Sequence, residues 1–154
     1  MFRLRSIPYQ QPSVALALRG DAQDVRGLTD LRKGQKIGVL TGSVASVVLG
    51  ERGLSISVYG FQDDMLEDLR KGELFGAAVS SATLSYYLKQ HPEAGMRMVD
   101  LAGSEPRLGW TVSVGLRNAD DALLNEVNRI VAALLADGTI AQIYAKYGVA
   151  HHAP

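Results

Sequence analysis

Apolar residues fall along this chain in two spacings. Ser13 to Leu18, Ile37 to Leu40, Leu54 to Tyr59 and Leu74 to Val79 are short runs that are wholly apolar or alternate. Bounded by polar residues and glycine, they predict strands buried in a sheet. Elsewhere apolar positions recur three and four apart, the period of one helix face. Val44, Val47 and Val48 form one such stripe, Met65, Leu66 and Leu69 a second, and Leu84, Tyr87 and Leu88 a third. A longer stripe of Leu123, Val127, Ile130, Val131 and Leu134 is continued by Ile140, Ile143, Tyr144 and Tyr147. Strand alternates with helix three times, which predicts an α/β fold whose parallel, right-handed sheet is covered on both faces.

Local signals set the boundaries. Residues 1–12, with Pro8 and Pro12, predict an extended entry segment, and Arg19 to Thr29 a polar loop followed by one helical turn at Leu28 to Leu31. Ser43 is a helix N-cap, Asp64 with Glu67 has capping-box spacing, and Lys71-Gly72 is a stop. The hydroxyls of Ser80 to Thr83 cap a third helix ending at His91-Pro92. Arg97 to Leu101 predicts a short strand, Ala102 to Arg107 a polar loop, and Trp110 to Leu116 another strand. Asp120 or Asp121 opens the last helix, Gly138 interrupts it and Thr139 re-caps it; the tail Val149 to Pro154 is expected to fray.

Ligands of open α/β sheets bind outside the carboxyl ends of the strands. That rule gathers Thr41-Gly42-Ser43, Tyr59 to Asp64 and Ser80 to Thr83 onto one rim, each between a strand and a helix N-terminus. Unpaired N–H groups and the helix dipole favour an anionic or carbonyl group there, and a glycine lets it approach the backbone. The candidate ligand-binding residues are Thr41, Gly42, Ser43, Val44, Ser80 and Ser81.

Composition narrows the chemistry. The 154 residues suffice for one compact domain, and 47% hydrophobic content fits a globular chain. Sixteen basic and sixteen acidic residues give a net charge of zero with no basic stripe, so no nucleic-acid partner is expected. There is no cysteine, which excludes disulfides, thiolate metal sites and a cysteine nucleophile. No apolar run approaches the roughly 20 residues of a membrane-spanning helix. The opening Met-Phe-Arg-Leu-Arg-Ser-Ile-Pro-Tyr lacks the long apolar core of a secretion signal.

Catalytic readings are weaker. Ser43 and Ser80 are explained as helix caps and have no histidine close in sequence to Ser43, with His91 the nearest to Ser80. Adjacent His151 and His152 point different ways and lack further ligands, so no metal is expected. Tyr86, Tyr87, Tyr144 and Tyr147 read as packing, and Asp63 and Asp64 as caps. Arg19 and Arg107 read as surface or hinge charges without a carboxylate partner.

Ile7-Pro8-Tyr9, then Leu28-Thr29-Asp30-Leu31-Arg32-Lys33-Gly34-Gln35-Lys36-Ile37-Gly38-Val39 and Thr41-Gly42-Ser43, resembles the second half of family 3 extracellular solute-binding proteins. Leu69-Arg70-Lys71-Gly72-Glu73-Leu74, Trp110, Asp137-Gly138-Thr139-Ile140 and Tyr144-Ala145-Lys146-Tyr147-Gly148 continue the likeness over nearly the whole chain. The resemblance implies an α/β, three-layer lobe with a parallel or mixed sheet, part of a two-lobed periplasmic-binding (Venus flytrap) fold whose first lobe is mostly missing. Residues 1–18 would be the entry segment and outgoing hinge strand, 19–108 the second lobe, and 109–154 the return strand with helices that pack on the first lobe. Tyr9, Arg19 and Trp110 would lie at the hinge.

The implied activity is solute capture in the periplasm without catalysis or cofactor, in concert with a membrane permease. One departure changes the expected solute. Members that bind α-amino acids place an Asp just after the third strand of this lobe, against the ligand's ammonium; here that position is Ser80, and Phe75 replaces the Asp usual at the strand's start. A hydroxyl does not neutralise a buried ammonium, whose desolvation costs several kcal/mol, so neutral or anionic solutes are expected. A similar loss marks the branch encoded beside periplasmic quinoprotein alcohol dehydrogenases, which this sequence also resembles. The alternative is accordingly an interaction module serving such a methanol or alcohol dehydrogenase. An enzyme on this fold, a dehydratase or a murein-degrading fusion, finds no acid/base pair in the sequence. A missing first lobe also implies self-association of the chain.

Overall fold

The computed structural model describes residues 4–22 and 24–154. The chain forms two compact units, one of residues 13–109 and one of residues 1–12 with 110–154.

The unit of residues 13–109 is built on a five-stranded sheet. Its strands are β2 (Val14–Arg19), β3 (Lys36–Leu40), β4 (Ser55–Tyr59), β5 (Gly76–Ser80) and β6 (Met96–Asp100), in the order β4-β3-β5-β2-β6. β3 runs parallel to β4 and β5, whereas β2 is antiparallel to both β5 and β6. The sheet is mixed rather than wholly parallel because β2 starts where its neighbours end, Val14 pairing with Ser80. Residues 13–18, expected to form an outgoing hinge strand apart from the lobe, are instead bound into this sheet. Their reassignment follows from the run of buried Val14 to Leu18, which two flanking strands cover edge to edge.

Helix α1 (Val44–Glu51) covers one face. Val48 and Leu49 join Leu16, Leu18, Ile37, Val39, Leu101 and Leu108 in one core layer. α2 (Gln62–Lys71) and α3 (Ser81–Gln90) cover the other, where Met65, Leu66, Leu69 and Leu84 meet the small Ala15, Ala17 and Ala77. The fit is tight at Gly38: a Cβ there would lie 2.6 Å from Met65 Cγ and 2.8 Å from Leu74 Cδ1.

Two expected caps differ. α2 begins at Gln62 with Phe61 at its N-cap and no side-chain cap, so Glu67 lies beyond the first turn and pairs with Arg70 at 2.7 Å instead. The stop is as expected, with Gly72 left-handed at φ 82°. At α3 the Ser80 hydroxyl makes no capping bond, while Ser81 Oγ accepts from the Ser13 N–H at 3.2 Å.

In the other unit, β1 (Leu4–Gln10) and β7 (Val112–Leu116) pair antiparallel, and α4 (Asp121–Ala136) and α5 (Thr139–Lys146) follow. Asp120 Oδ1 caps α4 through the Leu123 N–H at 2.8 Å, and Asn128 Oδ1 accepts from the Ile7 N–H at 2.8 Å. Thr139 does not re-cap α5: Gly138, at φ 78°, is the N-cap residue, and Asp137 Oδ1 accepts from the Thr139 N–H at 2.9 Å. The tail does not fray. The His152 carbonyl accepts from the Gln11 N–H at 2.9 Å, Gln10 Oε1 accepts from the His152 N–H at 2.8 Å, and His151 Nε2 donates to the Tyr9 carbonyl at 2.7 Å. Val131 is buried, but Leu123, Ile130, Ile143 and Tyr147 are 44–54% exposed.

Candidate functional site

Strand register brings one set of carboxyl ends together. Leu40 pairs with Tyr59, Val14 with Ser80, and Ala15 with both Val79 and Asp100. The rim of the sheet therefore reads, strand by strand, Tyr59 to Phe61, Thr41 to Val44, Ser80 and Ser81, Ser13, and Asp100. All six candidate ligand-binding residues, Thr41, Gly42, Ser43, Val44, Ser80 and Ser81, stand on it.

The turn after β3 is held from behind. Thr41 donates both its N–H, at 2.9 Å, and its Oγ1, at 3.1 Å, to the Tyr59 carbonyl. Gly42 is left-handed at φ 68°, and a Cβ built there meets nothing within 4 Å. Backbone conformation asks for glycine at this point, and the space over it is open. Ser43 Oγ accepts from the Ser46 N–H at 3.1 Å, and Ser46 Oγ donates to the Ser43 carbonyl at 2.6 Å. The remaining first-turn N–H groups of α1 have no acceptor within the helix, and its dipole adds partial positive charge beside the exposed Gly42. An anion or carbonyl oxygen is the matching guest.

The far end of α1 is anchored. Arg52, its C-cap residue, gives Nη2 to Glu105 Oε2 at 3.0 Å, and Arg107 gives Nε to Glu105 Oε1 at 3.1 Å. Arg107 Nη1 also reaches Glu51 at 2.8 Å. Arg107 thus has two carboxylate partners, contrary to the sequence reading, because the turn at 106–108 folds it back onto α1. Its hydrogen bond, followed by that of Arg52, holds the Glu105 carboxyl down to about 2, well under its ordinary 4.5.

Arg19 is also corrected. It ends β2 at the opposite edge of the sheet, where Nη1 donates to the Leu74 carbonyl at 3.3 Å and Nε lies 3.5 Å from Asp21. That is far along β2 from residue 13, where the chain enters this unit. Trp110 opens the other unit, its N–H donating to the Pro12 carbonyl at 3.1 Å. Tyr9 lies in β1 and lines an apolar cleft of about 370 Å³ with Val114, Leu134, Ile143 and Tyr144.

Two rim residues stand outside the six ligand-binding candidates: Phe61, within the Tyr59 to Asp64 stretch already gathered onto the rim, and Asp100, beyond it. Phe61, 75% exposed, follows Gly60 just past the end of β4; the signal was an aromatic residue in a Gly-Phe-Gln turn. Asp100 ends β6, its Oδ1 accepting from Ser13 Oγ at 2.5 Å and Oδ2 from the Gly103 N–H at 3.1 Å. Its signal was the only acid in Met-Arg-Met-Val-Asp. Tyr59 turns away from the rim. Its hydroxyl donates to Asp68 at 2.8 Å, and burial, reinforced by Asp68, pushes the phenol up to about 12.

Residues 4–150 match the model of the bacterial extracellular solute-binding proteins, family 3. The chain belongs to this family. It is 27% identical over 154 residues to a probable histidine-binding protein of Neisseria gonorrhoeae, covering 94% of this chain and 56% of that one. It spans about half the length of the curated relatives it matches. In fold it is similar to the L-cystine solute receptor of Neisseria gonorrhoeae in its unliganded open conformation, with a TM-score of 0.82 at 16% identity, covering 98% of this chain and 62% of that one. Periplasmic binding protein XoxJ from Methylobacterium extorquens AM1 is similar with a TM-score of 0.78 at 24% identity, covering 98% and 74%. The chain thus has the α/β lobe of the two-lobed periplasmic-binding fold.

Proposed function

We propose that this chain is the solute-holding part of a periplasmic receptor that captures a small polar solute for an ABC-type permease and performs no reaction on it. The anionic or carbonyl end of the solute is held by the N–H groups following Gly42, with the Ser43 hydroxyl as a second donor; the Ser43 N–H itself is already given to the Leu40 carbonyl at 3.1 Å, which leaves the first turn of α1 to supply them. The observation that carries this reading is the Gly42 turn, left-handed and open above, opening α1 at the rim. Family membership supports it, as do relatives named for binding histidine and arginine. Ser80 and Ser81 line the same rim with hydroxyls, and Phe61 offers an apolar shelf. Because Ser80 and Phe75 replace carboxylates, an ammonium group beside Ser80 is not neutralised, which disfavours ordinary α-amino acids.

Calorimetry with a panel of amino acids, carboxylates and sugars tests the proposal. Binding of a neutral or anionic solute that is lost on Gly42→Val supports it; tight binding of an ordinary α-amino acid, unaffected by Gly42→Val, overturns both site and solute class.

The replacements at Phe75 and Ser80 also favour a second reading, an interaction module serving a periplasmic quinoprotein dehydrogenase. Silence across the panel, with direct binding of such a dehydrogenase in the same instrument, would replace the first reading by this one.

A further inference from the structure

The rim carries one carboxylate that the proposed site does not use. Asp100 stands at the end of β6, exposed, and forms no ion pair among the described residues. Its two protein contacts, from Ser13 Oγ and the Gly103 N–H, hold the group in place. A carboxylate offers about four lone-pair positions, so about two stay open to solvent. Asp63 and Asp64 do not compete for the role. They open α2 and line a cleft between α2 and α3, where their charge complements the dipole of their own helix.

We infer that Asp100 supplies the counter-charge for the distal cation of a zwitterionic solute whose anionic end rests on the Gly42 turn. The inference rests on the proposed site at that turn and adds a specificity-determining residue to it. Topology sets the separation. From β3 to β6 the sheet takes three steps, through β5 and β2, which at about 4.8 Å each is about 14 Å. Subtracting a hydrogen bond of about 2.8 Å at either end leaves about 9 Å between the solute's carboxylate and its ammonium. An α-amino acid, with two bonds of about 1.5 Å between its nitrogen and its carboxyl carbon, is far too short. An extended six-carbon ω-amino acid, whose backbone has bonds of similar length, reaches about 8 Å. The loss of the carboxylate at Ser80 and the presence of one at Asp100 therefore select the position of a cation along the solute and do not exclude cations as such.

The test is calorimetric titration of the full chain with 6-aminohexanoate, hexanoate and glycine, repeated on Asp100→Asn and Gly42→Val. Because the carboxylate is exposed, the gain from the ammonium is modest: 6-aminohexanoate should bind about two- to fivefold tighter than hexanoate. Asp100→Asn should erase that difference and leave hexanoate affinity unchanged, which also shows that the variant is folded. If 6-aminohexanoate keeps its advantage in Asp100→Asn but loses binding in Gly42→Val, the role of Asp100 is overturned and the site at the turn stands. If glycine binds as well as 6-aminohexanoate, the spacing argument is overturned. Binding of none of the three, or binding that Gly42→Val leaves intact, overturns the site and the inference together.

Discussion

The two units bury their apolar residues very differently. In residues 13–109 both sheet faces are covered by helices, and Leu16, Leu18, Ile37, Leu66 and Leu69 are fully buried. In the other unit, a two-stranded sheet and two helices leave Leu123 49% and Ile143 51% exposed. The helices are equally well specified by sequence in both. What differs is the number of layers, since an amphipathic helix is stabilised mainly by what its apolar stripe meets.

Substitution in the two places should separate them most sharply. Leu66→Ala, in the core against the Ala-lined sheet face, should cost about 2 to 5 kcal/mol, whereas Ile143→Ala should stay within about 0.5 kcal/mol. Urea unfolding of each variant makes the comparison, and equal losses would break it. The exposed face has a second consequence: apolar patches of this kind drive association. Sedimentation should show the chain self-associating, and Ile130→Glu with Ile143→Glu should return it to a monomer. A wild-type monomer with a high melting temperature would show that the face needs no partner.

Smaller effects belong to the rim. Ser43→Ala removes a cap from α1 and one donor from the site, so solute affinity should fall by about 1 to 2 kcal/mol, five- to thirtyfold by calorimetry. Association, which belongs to the other unit, should not change; a shift in both would tie the two units together. The smallest effect is at low pH. The Glu105 carboxyl titrates at about 2 in the folded chain against an ordinary 4.5. The folded state binds its proton later than the unfolded one, so this stabilisation is complete above about 4.5 and fades as pH falls toward about 2. Acid unfolding followed by circular dichroism should show Glu105→Gln flattening that limb. An unchanged profile would remove Glu105 from the account of what anchors α1.

The periodic stripes and the glycine stops were readable because each depends on a few neighbouring residues. Ser43 as a cap and Gly72 as a left-handed stop are local in this sense. Asp64 with Glu67 had the right spacing and still was not a capping box, because α2 starts at Gln62 and turns Glu67 to Arg70. The pairing of Arg107 with Glu51 joins residues 56 apart, a distance over which no local pattern signals contact.

By itself the sequence determined that strands and helices alternate, where the turn at Thr41 to Val44 falls, and that positions 75 and 80 carry no acid. Those are properties of short segments, set by side-chain period, backbone freedom at glycine and chemical identity. Tertiary structure decided that β2 lies inside the sheet and antiparallel, that the tail joins β1, and that Asp100 shares a rim with Gly42. Strand order and direction depend on which distant segments bury each other's faces, a choice made by the packed core as a whole, and so Asp100 comes to the same rim as Gly42 from 58 positions away along the chain.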